Sequence, residues 1–365
     1  MTARAQRLLA LWPKSAPPRV TVRPLVVVCI TAHLLVSAAP SRLAQAASAN
    51  AATTLRPAVT RISATVPTRA IRMASATSLD PTPLQTYAAS HEFPPVYAPN
   101  AQKVMNKRLS QITFELSRDP PPETNCAQTL GAKRFANLFD DLGSVYSSLG
   151  DDAKAAEAYA KAIACNPRAE FLHAQLAAAL LDMGRYQDAR IETQRQLSLG
   201  RANFSVYTLI TQLDFIEGKW LDAVADARLA ASEAPDDEQA TYWQCFLWLA
   251  QKHGGTHEPV LLNRRIPPTW PTPILESLRG KITETQLLDA IESEHDGHRQ
   301  REILTEALFY TGQKHLAEGQ TDLAVKYFTA TTNLNVPYFI EHHLAMAELE
   351  KLRHPMPKSD MLSPP

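Results

Sequence analysis

Helical spacing of apolar residues begins near residue 101. In "AQKVMNKRLSQITFELSRD" Val104, Leu109, Ile112 and Leu116 fall on one helical face. "PPPE" then stops the run, because consecutive prolines remove backbone donors and cannot continue a helix. From Ala136 the pattern becomes regular. Phe139, Leu142, Gly143 and Tyr146 put a bulky stripe beside one small contact on a first helix, and Gly150 supplies a turn. On a second helix Ala155 lets the two axes approach, Tyr159 and Ala162 continue the buried face, and Pro167 ends the unit.

The order recurs in steps of 34. Gly150, Gly184 and Gly218 share one phase, Ala155, Ala189 and Ala223 another, and Pro167 and Pro235 lie two steps apart. With only 12 glycines in 365 residues, a threefold coincidence is a poor explanation. This order resembles the tetratricopeptide repeat (TPR), and the resemblance implies an all-α, right-handed superhelix of antiparallel helix pairs. The pattern predicts units over residues 136–169, 170–203 and 204–237, and a partial unit over 238–252 with Cys245 at a small position and Trp248 at an aromatic one. An irregular insertion follows over 253–302, rich in Pro and Gly. Inside it, Thr283 and Gln286 form a capping-box pattern ahead of Leu287, Leu288 and Ile291. A last unit over 305–338 carries Leu308, Gly312, Gly319, Ala324 and Phe328 in signature positions, and a closing helix over 338–352 covers the end of the stack.

"WPTPILESLRGKITETQLL" and "EALFYTGQKHLAEGQTDLAVKYFTATTNLNVPYFIEHHLAMAELEKL" narrow the resemblance. From about Gly131 to Arg353 the chain is similar to bacterial cell-envelope TPR proteins related to the enterobacterial new lipoprotein I. That similarity implies a periplasmic adaptor that docks peptidoglycan hydrolases and a protease. The chain departs from the pattern in two places. No lipobox is present, since Cys29 lies inside the apolar run, and Thr305 and Asn335 stand where many relatives carry cysteines.

Composition adds a leader and a tether. Residues 1–79 hold ten Arg or Lys and no Asp or Glu, which leaves 27 basic against 37 acidic residues from Asp80 onward, a net charge of −10. The acidic body argues against a general nucleic-acid binder. A basic lead, the apolar run Leu25 to Ala39 and small residues at Ala44 and Ala46 read as a signal peptide over residues 1–46, which predicts periplasmic location and no membrane span after cleavage. An organellar transit peptide is the alternative for the same acid-free stretch. Residues 47–100, small, polar and Pro-rich, read as a disordered linker, and 354–365 as a disordered tail.

Candidate chemistry is sparse. Cys126 lies just before the first unit and Cys165 at its close, so an antiparallel hairpin can bring them together in an oxidising compartment; Cys245 reads as an inert core residue. His295 and His298, and His342, His343 and Glu348, lack a recognised ligand spacing and read as solvated helix faces, so no metal and no cofactor are expected. No P-loop, dinucleotide turn, nucleophile elbow or HExxH is found, which points away from an enzyme. The resemblance to TPR stacks implies that positions two, five, nine and twelve of each first helix face a concave groove. They are Asn137, Asp140, Ser144 and Ser147; Phe171, Ala174, Ala178 and Leu181; Ser205, Thr208, Gln212 and Phe215; and Gln239, Tyr242, Phe246 and Leu249. The sequence thus predicts a non-catalytic scaffold that binds proteins or peptides through an aromatic-rich concave face, its main partner-binding residues being Asn137, Asp140, Phe171, Gln212, Phe215, Gln239, Tyr242 and Phe246. Self-association of the repeats is the alternative function.

Overall fold

The computed structural model describes residues 80–122, 124–200, 202–256 and 265–354. The expected signal peptide, residues 47–79 of the expected linker and residues 355–365 of the tail lie outside the described residues. Fourteen α-helices and no strand are present among the described residues. They are α1 (Pro83–Ser90), α2 (Pro99–Arg118), α3 (Ala132–Ser148), α4 (Asp152–Cys165), α5 (Glu170–Asp182), α6 (Tyr186–Leu199), α7 (Phe204–Glu217), α8 (Trp220–Glu233), α9 (Asp237–His253), α10 (Thr272–Leu278), α11 (Glu284–Glu292), α12 (Gly297–Ala317), α13 (Thr321–Asn333) and α14 (Ile340–Arg353). The pairs α3/α4, α5/α6, α7/α8 and α12/α13 pack as antiparallel hairpins, and each of the first three leads into the next. The described residues form an all-α stack of antiparallel helix pairs, the arrangement that the tandem pattern predicts.

The repeat has a local cause. Gly150, Gly184 and Gly218 adopt φ of 73°, 73° and 71°, a left-handed conformation that costs glycine least. That twist lets the next N–H fold back onto the helix just ended. The Asp151 N–H donates to the Tyr146 carbonyl at 2.9 Å, Arg185 to Leu180 at 2.8 Å, and Lys219 to Asp214 at 2.8 Å. Gly319, 101 residues past Gly218, repeats the device: φ is 76° and Gln320 donates to His315 at 2.9 Å. Gly143 serves the packing instead. A Cβ there would lie 2.5 Å from the Tyr159 ring, so glycine is what lets α3 and α4 meet.

Units 2 and 3 are also tied by charge, since Arg190 on α6 donates to Asp214 at 2.8 Å and to Glu217 at 2.9 Å on α7. Cys126 and Cys165 are disulfide-bonded, with Cα atoms 4.6 Å apart, so the turn before α3 is stapled to the end of α4. Cys245 is fully buried, and burial pushes its thiol pKa up.

The structure corrects three expectations. First, part of the expected linker is docked helix. Leu84 on α1 is fully buried, its N–H donates to Glu284 Oε1 at 2.9 Å, and the Tyr327 hydroxyl meets Thr82 Oγ1 at 2.8 Å and Glu284 Oε2 at 2.6 Å. One buried leucine and two hydrogen bonds, to Glu284 and to Tyr327, hold the α1 segment against its neighbours α11, α12 and α13, where averaged composition reads only low hydrophobicity. Second, Val104 on α2 is 67% exposed; Ile112 is that helix's one fully buried residue. Third, the boundary between the insertion and the last unit falls earlier than expected. The insertion contains α10 and α11, and α12 begins at Gly297, a turn or more ahead of the expected last unit.

Candidate functional site

The first-helix positions expected to face a groove divide into two sets of opposite character. In the set around α9, the aromatic side chains expected to face a groove are interior: Phe215 is 1% exposed, Tyr242 4% and Phe246 2%, while Gln239, Leu181 and Leu249 are buried too. The final unit fills that space. Helix α12 lies against α9, with Phe246 5.6 Å from the Tyr310 ring and 5.7 Å from Phe215. The Tyr242 hydroxyl donates to Glu306 Oε2 at 2.8 Å, and Trp270 Nε1 donates to the same oxygen at 2.6 Å. Among the described residues no helix follows α9 before α10, and the large apolar face of α9 gains more from α12 than from water. The expected aromatic groove is therefore a core.

Other candidates lie elsewhere. Asn137 is exposed and Asp140 half-buried on α3, outside the cleft described below. Phe171 packs on the small core around the disulfide, with Phe135, Phe139 and Leu172. Of the main predicted binding residues, only Gln212 lines an open space.

That space is a cleft of about 130 Å³ along the first helices of units 1 to 3. Ser144 and Ser147 on α3, Ala174, Gln175, Ala178 and Asp182 on α5, and Phe204, Ser205, Thr208, Leu209 and Gln212 on α7 form its floor. Tyr159 and Asp152 of α4 border it, and Tyr338 and Ile340 wall it. Ser144, Ser147, Ala174, Ala178, Ser205, Thr208 and Gln212 occupy groove positions that the repeat register assigns. Small side chains keep this set open, where bulky ones close the other.

The wall is held from three sides. Tyr338 donates to Glu302 Oε1 at 3.1 Å and packs on Tyr97 with ring centroids 5.4 Å apart. Pro337 lies over the Gly150 turn, where an added Cβ would come within 2.9 Å of it. Thus the last segment touches the turn of the first unit.

At this junction the histidines depart from the solvated faces expected of them. His343 is largely buried; its Nε2 donates to the Pro337 carbonyl at 2.6 Å and lies 3.8 Å from Asp152 Oδ2. His342 and Glu348 are buried, and burial with the neighbouring His343 pushes the His342 imidazole down to about 4. His295 is exposed and His298 half-buried at the start of α12. Asp152, Asp182 and His343 each bring one ligand-capable atom within 4.8 Å of the others, the one such group among the described residues. With His343 Nε2 engaged by a carbonyl, the two carboxylates are its open donors.

Burial raises the Asp182 carboxyl to about 6; the charge of Asp152 adds to the rise and His343 opposes it. Asp152 is raised by burial as well, and Tyr97 is pushed up to about 12 by burial and by the nearby Asp152 charge. The folded pKa of Asp182 exceeds its unfolded value of about 3.9. Its favourable contribution is therefore full below about pH 4 and lost as pH rises through about 6. Above that, an ionised Asp182 costs stability. Solvent screening at a half-buried site keeps the cost near ~1 kcal/mol. Asp182→Asn should raise the melting temperature at pH 7.5 by about 3 °C and leave the pH 4 melt nearly unchanged. An equal loss at both pH values would show that the carboxylate is a structural anchor instead.

No protein-family model matches the chain. Among solved structures it is similar to YrrB, described as "a TPR protein with an unusual peptide-binding site", at TM-score 0.32 and 12% identity, over 67% of this chain and 99% of that one.

Proposed function

We propose that the chain is a non-catalytic scaffold of the cell envelope that captures segments of other proteins in the cleft between α3, α5 and α7. The observation that carries this reading is the open, hydroxyl- and amide-lined inner wall over three consecutive units. Ser147, Ser205, Thr208, Gln175 and Gln212 offer donors and acceptors to an extended backbone, and Ala174 and Ala178 leave room for it. The signal-like leader and the Cys126–Cys165 bridge support an oxidising compartment, the periplasm. Enzymes of cell-wall turnover are the partners the family resemblance implies. Holding two of them on one chain raises their effective concentration without chemistry by the scaffold.

Capture from native envelopes tests the reading. Thr208→Arg should abolish recovery of partners that the wild-type chain retains, with its melting curve intact. Equal recovery would move the contact off this cleft. Self-association is the second reading, favoured by Val104 and Phe114, 67% and 64% exposed on α2. A dimeric mass in solution that falls to monomer on Phe114→Ser would support it.

A further inference from the structure

The charged side chains among the described residues that line the cleft are two carboxylates, Asp152 and Asp182, beside the phenols Tyr159 and Tyr338, and no Lys or Arg lines it. Lys154 is engaged by Asp151 at 2.6 Å and Arg185 by Asp188 at 2.7 Å, while Arg301, near Tyr338 at the cleft wall, lies over the Phe93 ring at 5.4 Å. Asp182 is the last residue of α5, at the negative end of that helix, where an anion is disfavoured unless a cation compensates it. Only His343 faces the pair, and its Nε2 hydrogen bond runs to the Pro337 carbonyl rather than to either carboxylate. Beside them the Tyr97 hydroxyl is buried with no hydrogen-bond partner. Two half-buried carboxylates thus converge at one end of a polar cleft, with His343, itself bonded to a carbonyl, as the cationic group that partly offsets their charge.

We infer that the cleft selects a cationic polypeptide segment, seating an α-amino group or a Lys or Arg side chain between Asp152 and Asp182. The inference rests on the peptide-capture reading and specifies its ligand. An ammonium or guanidinium donates to both carboxylates at once, and the charge-assisted bonds strengthen as the cleft excludes water. The backbone that follows runs along Ser147, Ala178 and Thr208. The sense is opposite to that of repeat domains that clamp a terminal carboxylate with basic residues, so an acidic tail is repelled here.

The test uses the full chain and a short fluorescent peptide carrying paired lysines, compared with versions in which norleucine or glutamate replaces them. Binding is read by anisotropy at low and at high salt. The lysine peptide should bind about tenfold tighter than the norleucine peptide, with glutamate weakest. The advantage should shrink in salt and disappear in Asp152→Asn with Asp182→Asn, while the norleucine peptide binds as before. Ser147→Lys, which places a cation in the cleft beside the carboxylates, should weaken the lysine peptide by a larger factor than the norleucine peptide. Equal affinity for all three peptides would overturn the inference and leave the capture reading standing. No binding by any peptide would overturn both. Calcium or zinc binding to the wild-type chain, lost in the double variant and indifferent to peptide charge, would overturn the inference in favour of a metal site.

Discussion

Tyr242→Ala combined with Phe246→Ala should unfold the C-terminal half of the protein rather than silence a binding surface. Both rings are buried between α9 and α12, and each truncation of a buried aromatic costs about 3–5 kcal/mol in lost transfer energy and cavity formation. The two lie one helical turn apart, so their effects couple, but even a discounted sum of ~5 kcal/mol consumes much of a typical domain's stability. Losing the Tyr242 hydroxyl also removes one of the donors to Glu306 Oε2, a carboxylate fully buried on α12. Urea denaturation followed by circular dichroism should show a large drop in the midpoint and collapse of the helical signal. A variant that melts like wild type would mean that the rings face solvent and that the inner wall is open along its whole length.

The second large effect concerns the disulfide. Cys126 and Cys165 are 39 residues apart, and cross-linking a loop of that size constrains the unfolded chain by about 4 kcal/mol in the loop-entropy account. The affected region is small. Its core holds Phe135, Ala136, Phe139, Ala162, Ala169 and Leu172 and is separate from the main core. Solenoids distribute stability by neighbouring units, so Cys126→Ser with Cys165→Ser should loosen α3 and α4 well before the rest. Hydrogen exchange should rise sharply across residues 132–165 and little beyond α7. Uniform destabilisation of all units, or none, would contradict this. Alkylation gives a direct check, because of the three cysteines after residue 46 only Cys245 should react in denatured, unreduced protein.

Periodicity carries local information, and the elements it read correctly are local. The glycine turns, the spacing that lets Tyr159 cross Gly143, the cysteine pair around the first hairpin and the Thr283–Gln286 capping box are each decided within one or two helices. The same logic extended to Thr82 and Gln85, where the Thr82 N–H reaches Gln85 Oε1 at 3.3 Å, but the Ala-, Thr- and Pro-rich background hid that short helix. What the repeat register cannot decide is whether an inward position meets water or protein. Phe246 and Thr208 both sit at inward positions; one is buried because α12, some sixty residues further on, folds back onto α9, and the other stays half-exposed in a cleft that the last segment walls without filling. The tertiary path also brings His343 to Asp152 across 191 residues of sequence, a juxtaposition without any signature in spacing. The aromatic richness that suggested a binding face was the signal of a core, since large rings at inward positions recruit the nearest apolar helix.

Thiol accessibility measures the two sets of positions against each other. Thr208→Cys and Glu157→Cys, the latter exposed on the outer helix of unit 1, should both react rapidly with a maleimide in the native protein, while the buried Cys245 stays unlabelled. A saturating bound peptide should then protect position 208 and leave 157 unchanged. Labelling at 208 that is indifferent to bound peptide would contradict capture by the cleft between α3, α5 and α7.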